Sequence, residues 1–149
     1  MSADPDPQAQ SWFVDTNVIL YSLDSRNAAK QSAATAWLDF FWRDGSGRIS
    51  WQVLNEFYAN AVRRFAVPAD QARRVVEMFH HWQPGGMSLD VATRGWHWME
   101  QAQLTWWDSL IVASAERQGC RAILSEDFQH NRLYGDVYVI NPFLRTPPE

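Results

Sequence analysis

Residues 12–18 read Trp-Phe-Val-Asp-Thr-Asn-Val, and the fold turns on this stretch. Trp12, Phe13 and Val14 make a short β-like apolar run that stops at Asp15. From Thr16 to Leu23 the pattern changes to a helical turn or short helix. An acid placed just past a strand lies where open α/β sheets gather their ligands, outside the carboxyl ends of the strands.

Beyond this stretch, strands and helices alternate. Asp24, Ser25 and Asn27 supply caps for a helix from Ala28 to about Trp42, in which Ala33, Trp37, Phe40 and Phe41 keep helical spacing. A turn at 44–47 and a short strand at 48–50 precede a helix from Trp51 to Phe65. Pro68 suits the first turn of the next helix, which runs to about Trp82. Pro84-Gly85-Gly86 breaks the chain. Two more helices follow, Asp90 to Gln103 (with Gly95 inside it) and Thr105 to Gln118, the latter ended by Gly119. Strands at 121–124 and 137–140 complete the order, which predicts an α/β fold with a central short parallel sheet flanked by helices.

The totals agree with one domain. The 149 residues are 46% apolar and 20% charged, with 7 Gly and 7 Pro, a globular composition. Residues 1–10 read as a disordered tail, 11–145 as the domain and 146–149 as a second tail. No apolar stretch is long enough to cross a bilayer, and the start lacks a basic region followed by an apolar run. Cys120 is alone, which excludes an internal disulfide and a thiolate metal site. The expected location is the cytoplasm. The net charge of −4 argues at first against a nucleic-acid partner. Setting aside four acids grouped below leaves the remainder neutral, and all but one of the basic residues are Arg, which suits phosphate contact.

Those acids are Asp15, Glu56, Asp108 and Asp127. Asp127 follows the strand ending at Leu124, so it can meet Asp15 at one rim despite the distance in sequence. Asp108 starts a helix face that continues through Ile111, Val112 and Ala115, an odd place for a merely solvated acid. The plainer alternative is a capping box with Thr105. Glu56 lies one to two turns into its helix and shares a face with Asn60 and Arg63; taken singly it reads as a surface charge. The adjacent His80 and His81, and the isolated His97 and His130, form no metal-binding motif.

Taken together these segments resemble the PIN-domain family, and within it the VapC-type ribonuclease toxins. Phe13-Val14-Asp15-Thr16-Asn17-Val18 is similar to the family's opening motif, Leu54-Asn55-Glu56-Phe57 to its second, and Trp107-Asp108-Ser109-Leu110-Ile111 to its third. Ile123-Leu124-Ser125-Glu126-Asp127 resembles the fourth, with Ser125 where Thr is commoner, and Val139-Ile140-Asn141-Pro142-Phe143 resembles a common ending. Trp106-Trp107 ahead of Asp108 is bulkier than the usual pattern.

The resemblance implies a PIN-like three-layer fold. It also implies that Asp15, Glu56, Asp108 and Asp127 hold one or two Mg²⁺ or Mn²⁺ ions and catalyse hydrolysis of RNA to a 5′-phosphate and a 3′-hydroxyl. Thr16, Asn17 and Ser125 are then the residues that fix the carboxylates. Arg63 is a candidate for contacting an RNA phosphate, against the plainer reading of a surface ion pair. Expected partners are an RNA substrate and an antitoxin encoded by the neighbouring gene, seated on the apolar helices Ala33 to Phe41 and Val53 to Phe65; a homodimer is left open. A housekeeping PIN ribonuclease and a non-catalytic RNA-binding module are the alternatives.

Physical chemistry supports the cation independently of family. Two carboxylates about 5 Å apart repel by about 3 kcal/mol at an effective dielectric near 20. A hard divalent ion with oxygen ligands removes that repulsion. Of the nine Trp, Trp12, Trp37 and Trp51 read as core, while Trp82, Trp106 and Trp107 are candidate stacking platforms for bases.

Overall fold

The computed structural model describes residues 11–149; the tail expected at 1–10 lies outside the described residues. Five strands form one sheet: β1 (Trp12–Val14), β2 (Gly47–Arg48), β3 (Ala122–Leu124), β4 (Leu133–Tyr134) and β5 (Val137–Ile140). Their order across the sheet is β2-β1-β3-β5-β4, all parallel except β4, which pairs antiparallel with β5. The antiparallel edge departs from the all-parallel expectation. Two residues, with Leu133 exposed, are too short to show a period in sequence.

Six helices flank the sheet: α1 (Thr16–Ser22), α2 (Ala28–Asp44), α3 (Trp51–Arg64), α4 (Ala69–Phe79), α5 (Leu89–Ala102) and α6 (Trp106–Arg117). Four of the starts share one physical cause. Asn27, Ser50, Ser88 and Thr105 accept a hydrogen bond from the backbone N–H three residues on, which satisfies a donor the helix cannot. The helix expected to reach Trp82 ends earlier, and His80–Trp82 tightens into a 3₁₀ turn. Helix α1 packs against α2 and α3, and α5 packs against α6. Gly95 allows the latter contact: a Cβ there would lie 3.0 Å from the Trp106 ring and 3.2 Å from Leu110.

The core gathers Trp12, Phe13, Trp37, Phe41, Phe57 and Ile123, all fully buried. Trp37 buries its indole N–H without loss, since it donates to the carbonyls of Pro142 and Arg145 at 3.1 and 3.0 Å. Three expectations need correction. Trp51 is 40% exposed rather than core, because it opens α3 ahead of the face formed by Val53, Leu54 and Phe57. Trp82 is no free platform: its ring packs between Phe41, Trp42 and Phe79, with centroids 6.1, 5.1 and 4.7 Å away. The apolar stripe of α2 is not an open groove either, since Trp37, Leu38, Phe40 and Phe41 are buried in the core.

Trp82 also explains Gly47 in the edge strand β2. A Cβ at Gly47 would lie 2.5 Å from the Trp82 ring, which its aromatic neighbours hold in place. Gly47→Ala should therefore destabilise the protein by about 1–3 kcal/mol, the usual penalty of overpacking. Urea denaturation would show a lower midpoint at constant m-value; an unchanged midpoint would mean that the ring swings clear.

Candidate active site

Val14 pairs with Leu124 in the β1–β3 register, so the next residues, Asp15 and Ser125, leave the sheet side by side. The ladder extends one step further: the Asp15 N–H donates to the Leu124 carbonyl at 3.1 Å, and the Ser125 N–H to that of Ile140 at 3.0 Å. Asp15 is 5% exposed and caps α1. Its Oδ1 accepts from the Thr16 N–H at 2.8 Å and its Oδ2 from the Ser125 hydroxyl at 2.7 Å.

Ser125 and Asn17 extend this contact to the segment after β3. Ser125 Oγ accepts from the Asp127 N–H and from Asn17 Nδ2, both at 3.1 Å. Asn17 uses both ends of its amide. Nδ2 donates to Asp127 Oδ2 at 3.1 Å, and Oδ1 accepts from the Glu126 N–H at 3.2 Å. One small polar pair thus orients two acids that lie on different elements.

Glu56 enters from α3, half-buried. Its Oε2 accepts from the Thr16 hydroxyl at 3.1 Å, and its Oε1 from the Gln52 amide at 3.1 Å. The Gln52 amide also donates to the Trp107 carbonyl at 3.1 Å, which ties α3 to the start of α6. Asp108 stands at the third position of α6, where its N–H donates to Thr105 Oγ1 at 3.1 Å. The capping expected there is real: it engages the backbone amide, and the Thr105 hydroxyl also acts on the carboxylate.

Charge couples all four acids. The Asp15 carboxyl is pushed up to about 7, first by burial and further by the charges of Asp127 and Glu56, while the Ser125 and Thr16 hydrogen bonds pull it down. Asp108 is also raised, chiefly by burial, with the same two charges adding and Thr105 opposing. Among the described residues no three His, Cys, Asp or Glu side chains close up into a ready-made ion site. The acids converge electrostatically, and neutral donors hold Asp15, Glu56 and Asp127 in place. An all-oxygen donor set of this kind suits Mg²⁺ or Mn²⁺.

The profile of the PIN domain family matches residues 12–136. The chain belongs to the PIN domain family. All four acids of this PIN domain fall inside the matched span. No curated protein sequence matches the chain. Solved structures that share the fold include a toxin and a toxin–antitoxin complex. The Mycobacterium tuberculosis toxin VapC20, described as cleaving the sarcin–ricin loop, aligns at 17% identity over 78% of this chain and 90% of its own, with a TM-score of 0.59. A toxin–antitoxin complex from Klebsiella pneumoniae contains a chain 19% identical, with 89% of this chain and 98% of that one covered and a TM-score of 0.62.

Other residues stand differently from their sequence reading. Arg63 is exposed, forms no ion pair among the described residues and is not one of the charges acting on Asp15 or Asp108. Gln52 escaped notice, although its spacing of four residues from Glu56 marks a shared helix face. So did Lys30, which pairs with Glu126 and lies 4.7 and 4.9 Å from the ring centroids of Tyr21 and Phe143. This contact pins the segment that carries Asp127, and no sequence pattern links residues 96 positions apart.

The raised Asp15 carboxyl gives a signed pH dependence for metal-free protein. Well below pH 3.8 Asp15 is protonated folded or unfolded and has no effect. As pH rises towards 7 the unfolded chain ionises while the folded state still holds its proton, and stability falls. The full difference from 3.8 to about 7 is on the order of 4 kcal/mol. In EDTA, wild-type protein should lose stability relative to Asp15→Asn between pH 4.5 and 7.5, read as diverging urea midpoints. Parallel profiles would show that Asp15 ionises normally.

Proposed function

We propose that this PIN domain is a metal-dependent endoribonuclease and the toxin of a toxin–antitoxin pair. The observation that carries the nuclease reading is the coupling of four carboxylates from separate elements at one sheet rim, with Asp15 buried and held by Ser125 and Thr16. Uncompensated burial of a carboxylate is unfavourable, and a divalent cation at this rim offsets it. Asp15 is the central ligand, with Asp108 and Asp127 as its partners. Glu56 either joins them or orients a bound water.

Bound Mg²⁺ or Mn²⁺, one ion or two, supplies an activated water and neutralises charge on the phosphoryl oxygens. The chain's own work is positional. Thr16 holds Glu56, Asn17 holds Asp127, and Ser125 holds Asp15, so the carboxylates keep their separation against mutual repulsion. Hydrolysis at phosphorus leaves a 5′-phosphate and a 3′-hydroxyl.

Purified protein should cut structured RNA with Mg²⁺ or Mn²⁺ and stop in EDTA. Ser125→Ala should lower the rate by about 10–100-fold, as losing a carboxylate-orienting partner does. Asp15→Asn should lower it further while the far-UV spectrum stays unchanged. Cutting that persists in EDTA, or in Asp15→Asn, would refute the metal mechanism.

The toxin reading draws on the shared fold with VapC20 and with the Klebsiella complex. An acidic rim that attracts cations also accepts a guanidinium, which pairs bidentately with carboxylates and keeps its charge. The partner expected is a short protein encoded next door that places Arg at the rim. Expressed alone in bacteria, the chain should slow growth; with its neighbour it should not, and the two should co-purify. Harmless overexpression of an enzyme that still cuts RNA would leave a housekeeping ribonuclease.

A further inference from the structure

Beside Glu56 a cleft of about 360 Å³ opens between the start of α3, residues 85–87 and the start of α6. Its volume lies near the lower end of ligand clefts, about 300–1,000 Å³. Glu56 itself lines the cleft, with Trp51, Gln52, Asn55, Met87 and Trp107. Trp51, Met87 and Trp107 are 40%, 62% and 62% exposed, an unusual concentration of large apolar side chains left in water.

The two indoles stand on fixed backbone. Trp51 is the first residue of α3, and its N–H donates to the Gly85 carbonyl at 2.9 Å. Trp107 is the second residue of α6, with its carbonyl held by Gln52 at 3.1 Å. Behind it, Trp106 stacks on Trp96 at 5.9 Å. Both residues stand in a first helical turn and leave their rings partly open to solvent.

The lining selects its occupant. No Lys, Arg or His contributes to it, so it does not suit a phosphate. Flat apolar rings with the amides of Asn55 and Gln52 suit a planar heterocycle that has a polar edge. Sharing Glu56 with the acid rim makes the cleft continuous with the place where the scissile phosphodiester lies. A nucleotide next to that phosphodiester therefore has its base at the mouth of the cleft.

We propose that this cleft is a nucleobase subsite. It takes one unpaired base adjacent to the bond being cut, stacked on Trp107 and Trp51, with the Asn55 amide and the Gln52 side-chain oxygen reading the base edge. The proposal rests on the ribonuclease reading above. Since a paired base presents no free face to stack, the subsite directs cutting to single-stranded and loop RNA.

Steady-state cleavage of a single-stranded RNA in Mn²⁺ tests this. Trp107→Ala should raise KM about ten-fold, within the range of losing one base–aromatic stack. Because the stack forms in ground and transition states alike, kcat should stay within about two-fold. Trp107→Phe should recover most of the loss, and melting temperature should not move. Asn55→Ala should relax base preference at a single position of a randomised RNA library. An unchanged KM in both Trp107→Ala and Trp51→Ala, with wild type cutting normally, would overturn the subsite. So would loss of self-association on sedimentation with KM unchanged, which would make the cleft a protein interface. If wild type does not cut RNA, the nuclease reading fails separately. The subsite is then judged by tryptophan fluorescence. Quenching by a short RNA but not by an abasic strand of equal length, and reduced in Trp107→Ala, supports it; equal responses overturn it.

Discussion

The pairing of Val14 with Leu124 is the constraint on which the rest of the molecule depends. A slip of one residue would turn every side chain of the slipped strand to the opposite face of the sheet. Trp12, Phe13, Val14, Ala122, Ile123 and Leu124 are all fully buried, which leaves no tolerance for a slip. The apolar core therefore decides that Asp15 and Ser125 leave the sheet together. From that one juxtaposition follow the hydrogen bond between them, the bridge through Asn17 and the placement of Asp127.

Electrostatics then shapes what the register assembles. Four acids in mutual range would spread apart unless something held them. Here Thr16, Asn17, Gln52 and Ser125 hold three of them with neutral donors. Neutral donors orient a carboxylate without discharging it, so the rim keeps its pull on cations. Asp108 is fixed differently, by the start of α6, where the Thr105 cap sets the helix and the helix sets the acid.

Much of this was legible in the sequence because it is written in local patterns. Strand β1, the six helices and the caps at Asn27 and Thr105 each announce themselves within a few residues. The acids were found by their positions after strands or on helix faces. What escaped was long-range or too short to have a period. Strand β4 spans two residues, and its pairing depends on a turn at Gly135 rather than on composition. Trp51 and Trp82 exchanged their expected roles, since burial of an aromatic depends on what the opposite element offers. Trp82 found the bare backbone of Gly47, and Trp51 fell just outside the apolar stripe of its own helix. Asp108 combines two features that the sequence sets against each other: its amide is capped by Thr105, and its carboxylate still feels Asp127 and Glu56.

The interior position of β1, between β2 and β3, bears on how the protein is born. This strand is synthesised first, yet one of its neighbours in the sheet is β3, with Trp12 beside Ala122. Contacts between such distant segments form slowly, because a long loop must close before any pairing rewards it. On the ribosome the order is stricter still. Asp15 emerges first and meets Ser125 only after 110 further residues have been made. A nascent chain therefore carries Asp15 without Ser125 and Asp127 until both strands of the central pair have been made.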